Sequence, residues 1–285
     1  MFGNMDEILY FPDDPAVRAI LTTCPPLEGE RYKDGQLIFR QSSNQQKLML
    51  AWLDQNCVAQ FEHETIKFLS IGAGTGIFDE QVIQGFLRRD VRIHYEGLDP
   101  NKDVLQLLEN GLRALTGDKL TVSTLLSDFE SYQTPNKFNF ILLVHTHYFF
   151  HDLCQNLQKS WDLLEEGGSI ILYSALDIIL SQFFNVTFQS NFGHPPWLSH
   201  HVQVALKNLS IPFRRDSIQA VLDISICFGD NEKAANDLLS FIIHADAANS
   251  SGRDVLLACL KKNATRENEK FLLPHTVDVF SISKA

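Results

Sequence analysis

The chain has 285 residues, of which 24 are basic and 35 acidic, a formal charge of −11 with histidine neutral. Its apolar content of 45% and aromatic content of 11%, with 21 Phe, supply a large core and exclude intrinsic disorder. No stretch concentrates Lys and Arg as phosphate backbones require, so nucleic acid is not an expected partner.

In chain order, the opening residues 1–10 carry Asp6 and Glu7 and no positive charge ahead of their apolar side chains, unlike a secretory signal. A cytoplasmic protein is expected. Pro12, Pro15, Pro25 and Pro26 break any long helix before Tyr32, and residues 1–41 read as a lid or wrap. Ser42 and Ser43 each precede a Gln by three residues, a capping-box pattern, and Leu48, Trp52 and Leu53 then share a face, which predicts a helix over 45–59. From Lys67 short apolar runs alternate with amphipathic stretches, the signature of βαβ units and a parallel sheet. Strands are predicted at 68–71, 94–98, 120–125, 138–144 and 170–173, and helices at 77–88, 102–115 and 152–164. The last of these helices ends at Glu165-Glu166-Gly167-Gly168, whose glycines are expected to form a left-handed cap. Beyond Tyr173, residues 191–197 read as a loop, 201–209 as a helix, 213–224 as one long strand, 232–245 and 253–261 as helices, and 275–282 as a closing strand. No window reaches the roughly 18 apolar residues of a spanning helix, so a membrane is not an expected partner. Cys24, Cys57, Cys154, Cys227 and Cys259 include no CxxC pair and are expected to be reduced, mostly buried thiols rather than a disulfide frame or a zinc site.

The most informative stretch is Leu69-Ser70-Ile71-Gly72-Ala73-Gly74-Thr75-Gly76-Ile77, a buried strand that runs through glycines into a helix. A dinucleotide fingerprint has the spacing G-x-G-x-x-G, which seats a pyrophosphate on the helix N-terminus. Here the third glycine comes one residue early and Ile77 takes its place. No Lys-Ser or Lys-Thr follows, which excludes a P-loop. A nucleoside cofactor without phosphates fits better, and S-adenosylmethionine is the obvious one, its amino-acid end against Gly72, Ala73 and Gly74. The second strand ends at Gly97-Leu98-Asp99-Pro100, placing the Asp99 carboxylate where a ribose diol would be accepted. Ser127-Asp128-Phe129 follows the third strand. Asp128 is a candidate acceptor for the adenine amine and Phe129 a candidate ring contact, the competing reading being a turn acid beside a core Phe.

These residues resemble the class I S-adenosylmethionine-dependent methyltransferases, through Leu-Ser-Ile-Gly-Ala-Gly-Thr-Gly, the Gly-Leu-Asp-Pro strand end, and Leu-Glu-Glu-Gly-Gly-Ser-Ile before the fifth strand. Within that class the chain is most similar to the histamine N-methyltransferase family, in Phe138–Asp152, Leu222–Glu232 and His275-Thr276. The resemblance implies an α/β, Rossmann-like seven-stranded sheet of order 3-2-1-4-5-7-6 with the last strand antiparallel. It also implies one methyltransferase domain over 42–285, with substrate-covering insertions at 176–212 and 230–274. The cofactor set it implies is Gly72, Ala73, Gly74, Thr75, Gly76, Asp99, Pro100, Asp128, Phe129 and Val144, with no metal. The family holds histamine with a Glu, a Gln and an Asn, and the matching positions here are Gln45, His145 and His275. The substrate is therefore not expected to be histamine. Aromatic lining carries over at Tyr32 and Tyr148, followed by Phe149.

The expected activity is methyl transfer from S-adenosylmethionine, leaving S-adenosylhomocysteine, to the nitrogen of a small polar amine or guanidine-like substrate by a monomeric enzyme of amine inactivation or natural-product biosynthesis. His145 and His147, at the end of the fourth strand, are the candidate bases because imidazole titrates near neutral pH. The competing reading for each is a structural histidine. Methylation of a macromolecule and a non-catalytic interaction module remain as alternatives.

Overall fold

The computed structural model describes residues 15–27, 29–61, 64–115, 117–247 and 252–284. Helices α1 (Pro15–Thr23), α2 (Gly29–Ser42) and α3 (Gln45–Asn56) come first. The alternating region that follows contains β1 (Thr65–Ile71), α4 (Ile77–Leu87), β2 (Arg92–Asp99), α5 (Lys102–Arg113), β3 (Leu120–Leu126), β4 (Phe138–Val144), α6 (Leu153–Leu163) and β5 (Leu164–Ala175). After it come α7 (Ile179–Phe192), α8 (Ser199–Asn208), β6 (Arg214–Ile218), β7 (Val221–Asp223), α9 (Glu232–Ile243), α10 (Arg253–Asn263), β8 (Thr265–Glu267), β9 (Lys270–Pro274) and β10 (Val277–Ser283). Among the described residues no helix is long and apolar enough to cross a membrane.

These elements form two compact units. One comprises the described chain through Asn44, Asp177–Pro196 and Gln219–His275; the other comprises Gln45–Leu176, Trp197–Ile218 and the chain from Thr276. The second unit holds a seven-stranded sheet of order β3-β2-β1-β4-β5-β10-β6. Strands β1 to β5 pair in parallel, and β10 runs antiparallel to both β5 and β6, as the sequence resemblance implies. Side chains alternate between the two faces. Phe68, Tyr95, Phe140 and Tyr173 pack with Met49, Ile83 and Leu108 of α3, α4 and α5. Leu69, Ile141 and Leu172 pack with Leu157 of α6 and Val202 of α8. Burial on both faces explains the near-continuous apolar runs of the central strands β4 and β5. On β10 the fully buried Asp278 carboxylate accepts hydrogen bonds from Ser199 and Ser217 and pairs with Arg215 Nη2 at 2.6 Å.

The first unit packs α1, α2, α7, α9 and α10 with a small antiparallel sheet, β7-β9-β8, around Val17, Phe183, Leu222, Leu238, Leu256 and Leu273. Gly35 lies in mid-helix because a Cβ there would sit 2.9 Å from the Asp237 carbonyl oxygen, so its absence lets α2 press against α9. Lys233 bridges Asp34 at 2.6 Å and Asp237 at 2.7 Å beside that contact.

As expected, the N-terminal prolines leave no long helix before Tyr32: Pro15 opens the short α1, where its missing N–H costs nothing, α1 ends at Thr23 ahead of Pro25-Pro26, and α2 starts at Gly29. Other expectations are corrected. The predicted strand 213–224 is two strands in two sheets, β6 beside β10 and β7 beside β9, separated at Gln219-Ala220. The loop expected from Asn191 begins later, since α7 continues to Phe192 and stops at Gly193 in the left-handed region. Gly167 is left-handed too, but it lies in a bulge of β5, where its N–H donates to the Lys284 carbonyl; α6 ends at Leu163. All five cysteines are free, yet only Cys227 is buried.

Candidate functional site

The second unit places the glycine turn at the carboxyl ends of its parallel strands. Ile71 ends β1 between Leu98 and Leu143 of its neighbours, and the chain then turns through Gly72, Gly74 and Gly76, all left-handed, with φ of +66°, +58° and +75°. The turn is fixed by backbone bonds: Ala73 N donates to Leu98 O at 2.8 Å and Gly76 N to Ala73 O at 3.1 Å. Gly76 is the N-cap of α4. A Cβ on Gly72 would overlap Thr146 Oγ1 and lie 2.7 Å from Thr146 Cβ, so this position must be bare. Below the turn, Asp79 accepts a 2.5 Å bond from Tyr95 Oη, and burial pushes its carboxyl up to about 6.

Asp99 faces the same turn. Its Oδ2 accepts the Gly74 N–H at 3.0 Å and its Oδ1 the Asn101 N–H at 2.9 Å, while burial raises its pKa above the ordinary carboxylate value. One lone pair on each oxygen remains for a further donor. After Pro100, Asn101 caps α5 through Asp103 N and Val104 N, a role the sequence reading missed although Asn before a helical stretch is a recognisable cap.

The segment after β3 is tied down separately. Asp128 is exposed and its Oδ1 accepts the Ser131 N–H at 2.6 Å, which holds its pKa below the ordinary value. Phe129 is buried, near-parallel to Tyr132 and beneath Lys159 Nζ at 4.8 Å from its ring. Lys159 also donates to the carbonyls of Phe129 and Tyr132, each at 2.6 Å. Glu130 Oε1 accepts from His151 N and Asn156 Nδ2. Lys159 and Glu130, spaced far apart in sequence, gave no local signal of this clamp.

At the end of β4, Val144 pairs with Tyr173, and His145 follows at φ +54°, an uncommon conformation for a residue with a side chain. Its ring is fully engaged. Gln45 Oε1 can only accept, so His145 Nε2, 3.1 Å away, carries the ring proton and donates to it. Nδ1 is then the acceptor for Tyr148 Oη at 2.7 Å, and Tyr148 Oη in turn accepts the Ala175 N–H at 2.7 Å. Burial lowers the His145 pKa to about 4, consistent with this neutral tautomer. His147 is completely buried, bonds Ser174 Oγ at 2.9 Å through Nε2, and is pushed down to about 3 by burial. Phe149 is exposed.

The structure thus joins Gln45, His145 and Tyr148 in one hydrogen-bonded chain in the second unit. Tyr32 and His275 belong to the first unit, in a different cluster. There Tyr32 packs on Phe241, Phe241 on Phe39, and Phe39 on the edge of His275, whose Nδ1 lies 2.8 Å from Ser43 Oγ.

No family model matches the chain, and no curated protein matches its sequence. Solved structures do match. The YcgJ protein of Bacillus subtilis aligns with a TM-score of 0.58 at 13% identity, over 83% of this chain and 98% of its own. A putative methyltransferase of Bacillus halodurans aligns with a TM-score of 0.54 at 14% identity, over 82% and 98%. The plantazolicin methyltransferase BpumL, solved in complex with S-adenosylhomocysteine, aligns with a TM-score of 0.53 at 10% identity, over 95% and 96%. With the sheet order and the antiparallel β10, these likenesses establish that the second unit has the Rossmann-like fold of the class I methyltransferases.

Proposed function

We propose that the protein transfers a methyl group from S-adenosylmethionine to the nitrogen of a small polar amine or guanidine-like acceptor other than histamine. The observation that carries this reading is the pairing of the bare Gly72–Gly76 turn with an Asp99 carboxylate that keeps one lone pair on each oxygen. Such a pair suits a nucleoside sulfonium: the turn admits its amino-acid end without a phosphate cradle, and Asp99 accepts the two ribose hydroxyls. Asp128, Phe129 and Val144 complete the proposed cofactor set, with Lys159 holding the backbone of the adenine-side segment in place. The cofactor supplies the electrophilic methyl.

The chain's own task is to position a neutral nucleophile and exclude water. The Gln45–His145–Tyr148 chain favours His145 as a positioning residue that orients Gln45 and Tyr148 over a base, because both ring nitrogens are committed and its pKa is far below neutrality. His147, sealed from solvent, acts as a structural residue in this reading. No carboxylate stands at Gln45, His145 or His275, the positions where the resemblance places the histamine ligands, which supports a different acceptor.

Asp99→Ala is expected to weaken S-adenosylmethionine binding by about tenfold or more, the worth of a charge-assisted hydrogen bond. Titration calorimetry checks this, and an unchanged constant would remove Asp99 from the ribose site. His145→Ala is expected to lower turnover by about tenfold or more through lost positioning, with cofactor affinity retained. The test of the whole reading is incubation with S-adenosylmethionine and a panel of amines, guanidines and imidazoles, read by mass spectrometry for the mass of one added methyl. A protein that binds no S-adenosylmethionine refutes the reading.

A further inference from the structure

One face of the large sheet changes character along its outer strands. Alternate residues of β10 share a side, and on the side buried with Met49 they run Val277, Val279, Ser281, Ser283. On β5 the same side runs Tyr173, Ile171, Ser169. The register sets these residues together: Ser169 lies between Phe140 and Ser283, and Ser281 lies between Ile171 and Arg214. An apolar stripe thus gives way to hydroxyls. A cavity of about 570 Å³ opens there, bounded by these strands, by Asn56 at the end of α3, and by Phe61 and Phe86. Sites for small molecules have volumes of about 300–1,000 Å³. The cavity lies towards the amino end of β4, since Phe140 is four residues, roughly 13 Å, from Val144 at the other end. It is therefore separate from the glycine turn.

The lining selects the chemistry of a ligand. Phe61, Pro212 and Phe213 supply apolar surface that is not fully buried, and the Phe61 ring is backed by Phe86 at 5.3 Å. Among the described residues that line the cavity, Arg214 is charged and none is acidic, in a chain whose formal charge is −11. The guanidinium is held in place. Its Nη2 donates to Asn56 Oδ1 at 3.1 Å, its Nε pairs with Asp216 at 3.1 Å, and it lies 5.6 Å from the Trp52 ring centroid. Both members of the Asp216 pair are exposed, at 57% and 39%, so the pair orients the guanidinium more than it neutralises it. Nη1 takes part in none of these contacts, and the planar fork of a guanidinium matches a carboxylate. The Ser169 and Ser283 hydroxyls, 3.3 Å apart, and the Ser281 hydroxyl beside Arg214 add further donors. Donors and a guanidinium without an acid, next to apolar surface, suit a flat apolar body that ends in a carboxylate.

We propose that this cavity binds an aromatic carboxylate, its ring against Phe61 and Pro212 and its carboxylate on Arg214 and Ser281. This goes beyond the proposed methyl transfer and stands without it. The experiment is titration calorimetry of the full chain, without cofactor, against 2-naphthylacetate and its neutral analogue 2-naphthylacetamide. Saturable binding of the carboxylate is expected, with the amide weaker by about tenfold or more. Arg214→Gln should weaken the carboxylate by about tenfold or more and remove its advantage over the amide. Ser283→Trp should abolish binding of both by filling the cavity from its rim. Arg214 and Ser283 are both exposed, so neither substitution threatens the fold. Absence of carboxylate binding overturns the site, and so does equal binding of acid and amide by the wild type. Carboxylate binding that survives unweakened in Arg214→Gln or in Ser283→Trp overturns it equally.

Discussion

Gly72→Ala is expected to abolish measurable S-adenosylmethionine binding and to lower the thermal midpoint by about 5–15 °C. Two costs add. A Cβ at φ +66° meets its own backbone, at about 1–2 kcal/mol. It also overlaps Thr146 Oγ1 and crowds Thr146 Cβ, so rotation of the threonine cannot relieve the clash, and overpacking of this kind costs about 1–3 kcal/mol. In a chain of this size each kcal/mol moves the midpoint by roughly 2–4 °C. Gly74 separates the two costs, because its φ is +58° yet a Cβ there meets nothing within 4 Å. Gly74→Ala should therefore lose only the smaller share, and Thr146→Gly introduced into Gly72→Ala should recover the larger. Equal midpoints for Gly72→Ala and Gly74→Ala would contradict the clash with Thr146.

Acid should destabilise the protein well before its ordinary carboxylates are protonated. An unfolded histidine titrates near 6.5, whereas folded His147 is held to about 3 by burial. The unfolded chain therefore binds the proton first. The stability from neutral His147 is complete above pH 6.5 and is lost as pH falls towards 3; at about pH 5 the loss is about 2 kcal/mol. His145 and His244, each pushed down to about 4 by burial, contribute in the same sense. Asp79 acts in the opposite sense. Its folded pKa of about 6 exceeds the unfolded value of 3.8, so the folded state takes up that proton first and gains stability between those values as pH falls. Scanning calorimetry from about pH 7.5 to 5 should show a falling midpoint, flattened by His147→Gln and steepened by Asp79→Asn. Parallel profiles for the wild type and His147→Gln would contradict the assignment.

How much of this was legible in the sequence depended on burial. Strand β4 was readable at its full length, 138–144, because both faces are covered and the apolar run from Phe140 to Val144 is unbroken. Helix α7 was invisible for the same physical reason. Leu180, Ser181, Gln182, Phe183, Phe184, Thr187 and Phe188 are all buried, so no polar stripe marks a 3.6-residue period. Helix α2 was not read at all, and its Gly35 is the point of close approach to α9, a role that only the packed structure reveals. The 213–224 segment has a continuous strand composition, and only pairing with distant β10 and β9 divides it. Gly72 and Asp99 were identifiable from local spacing. The Thr146 contact, the Lys159 clamp and the tautomer of His145 were not, since each depends on partners brought together by the sheet.

The place of β10 has a consequence for how the molecule is made. Residues 277–283 are hydrogen-bonded on both sides, and β6 has no other partner in the large sheet. During synthesis β1 to β5 can assemble in order behind the ribosome, but β6 must wait, with Ile218 and its neighbours unpaired, until some sixty further residues have emerged. Pairings of such long sequence separation form slowly, and an unsatisfied strand edge is open to pairing with other chains in the interval. The nascent protein is thus most vulnerable to aggregation late in translation, between the emergence of β6 and that of β10.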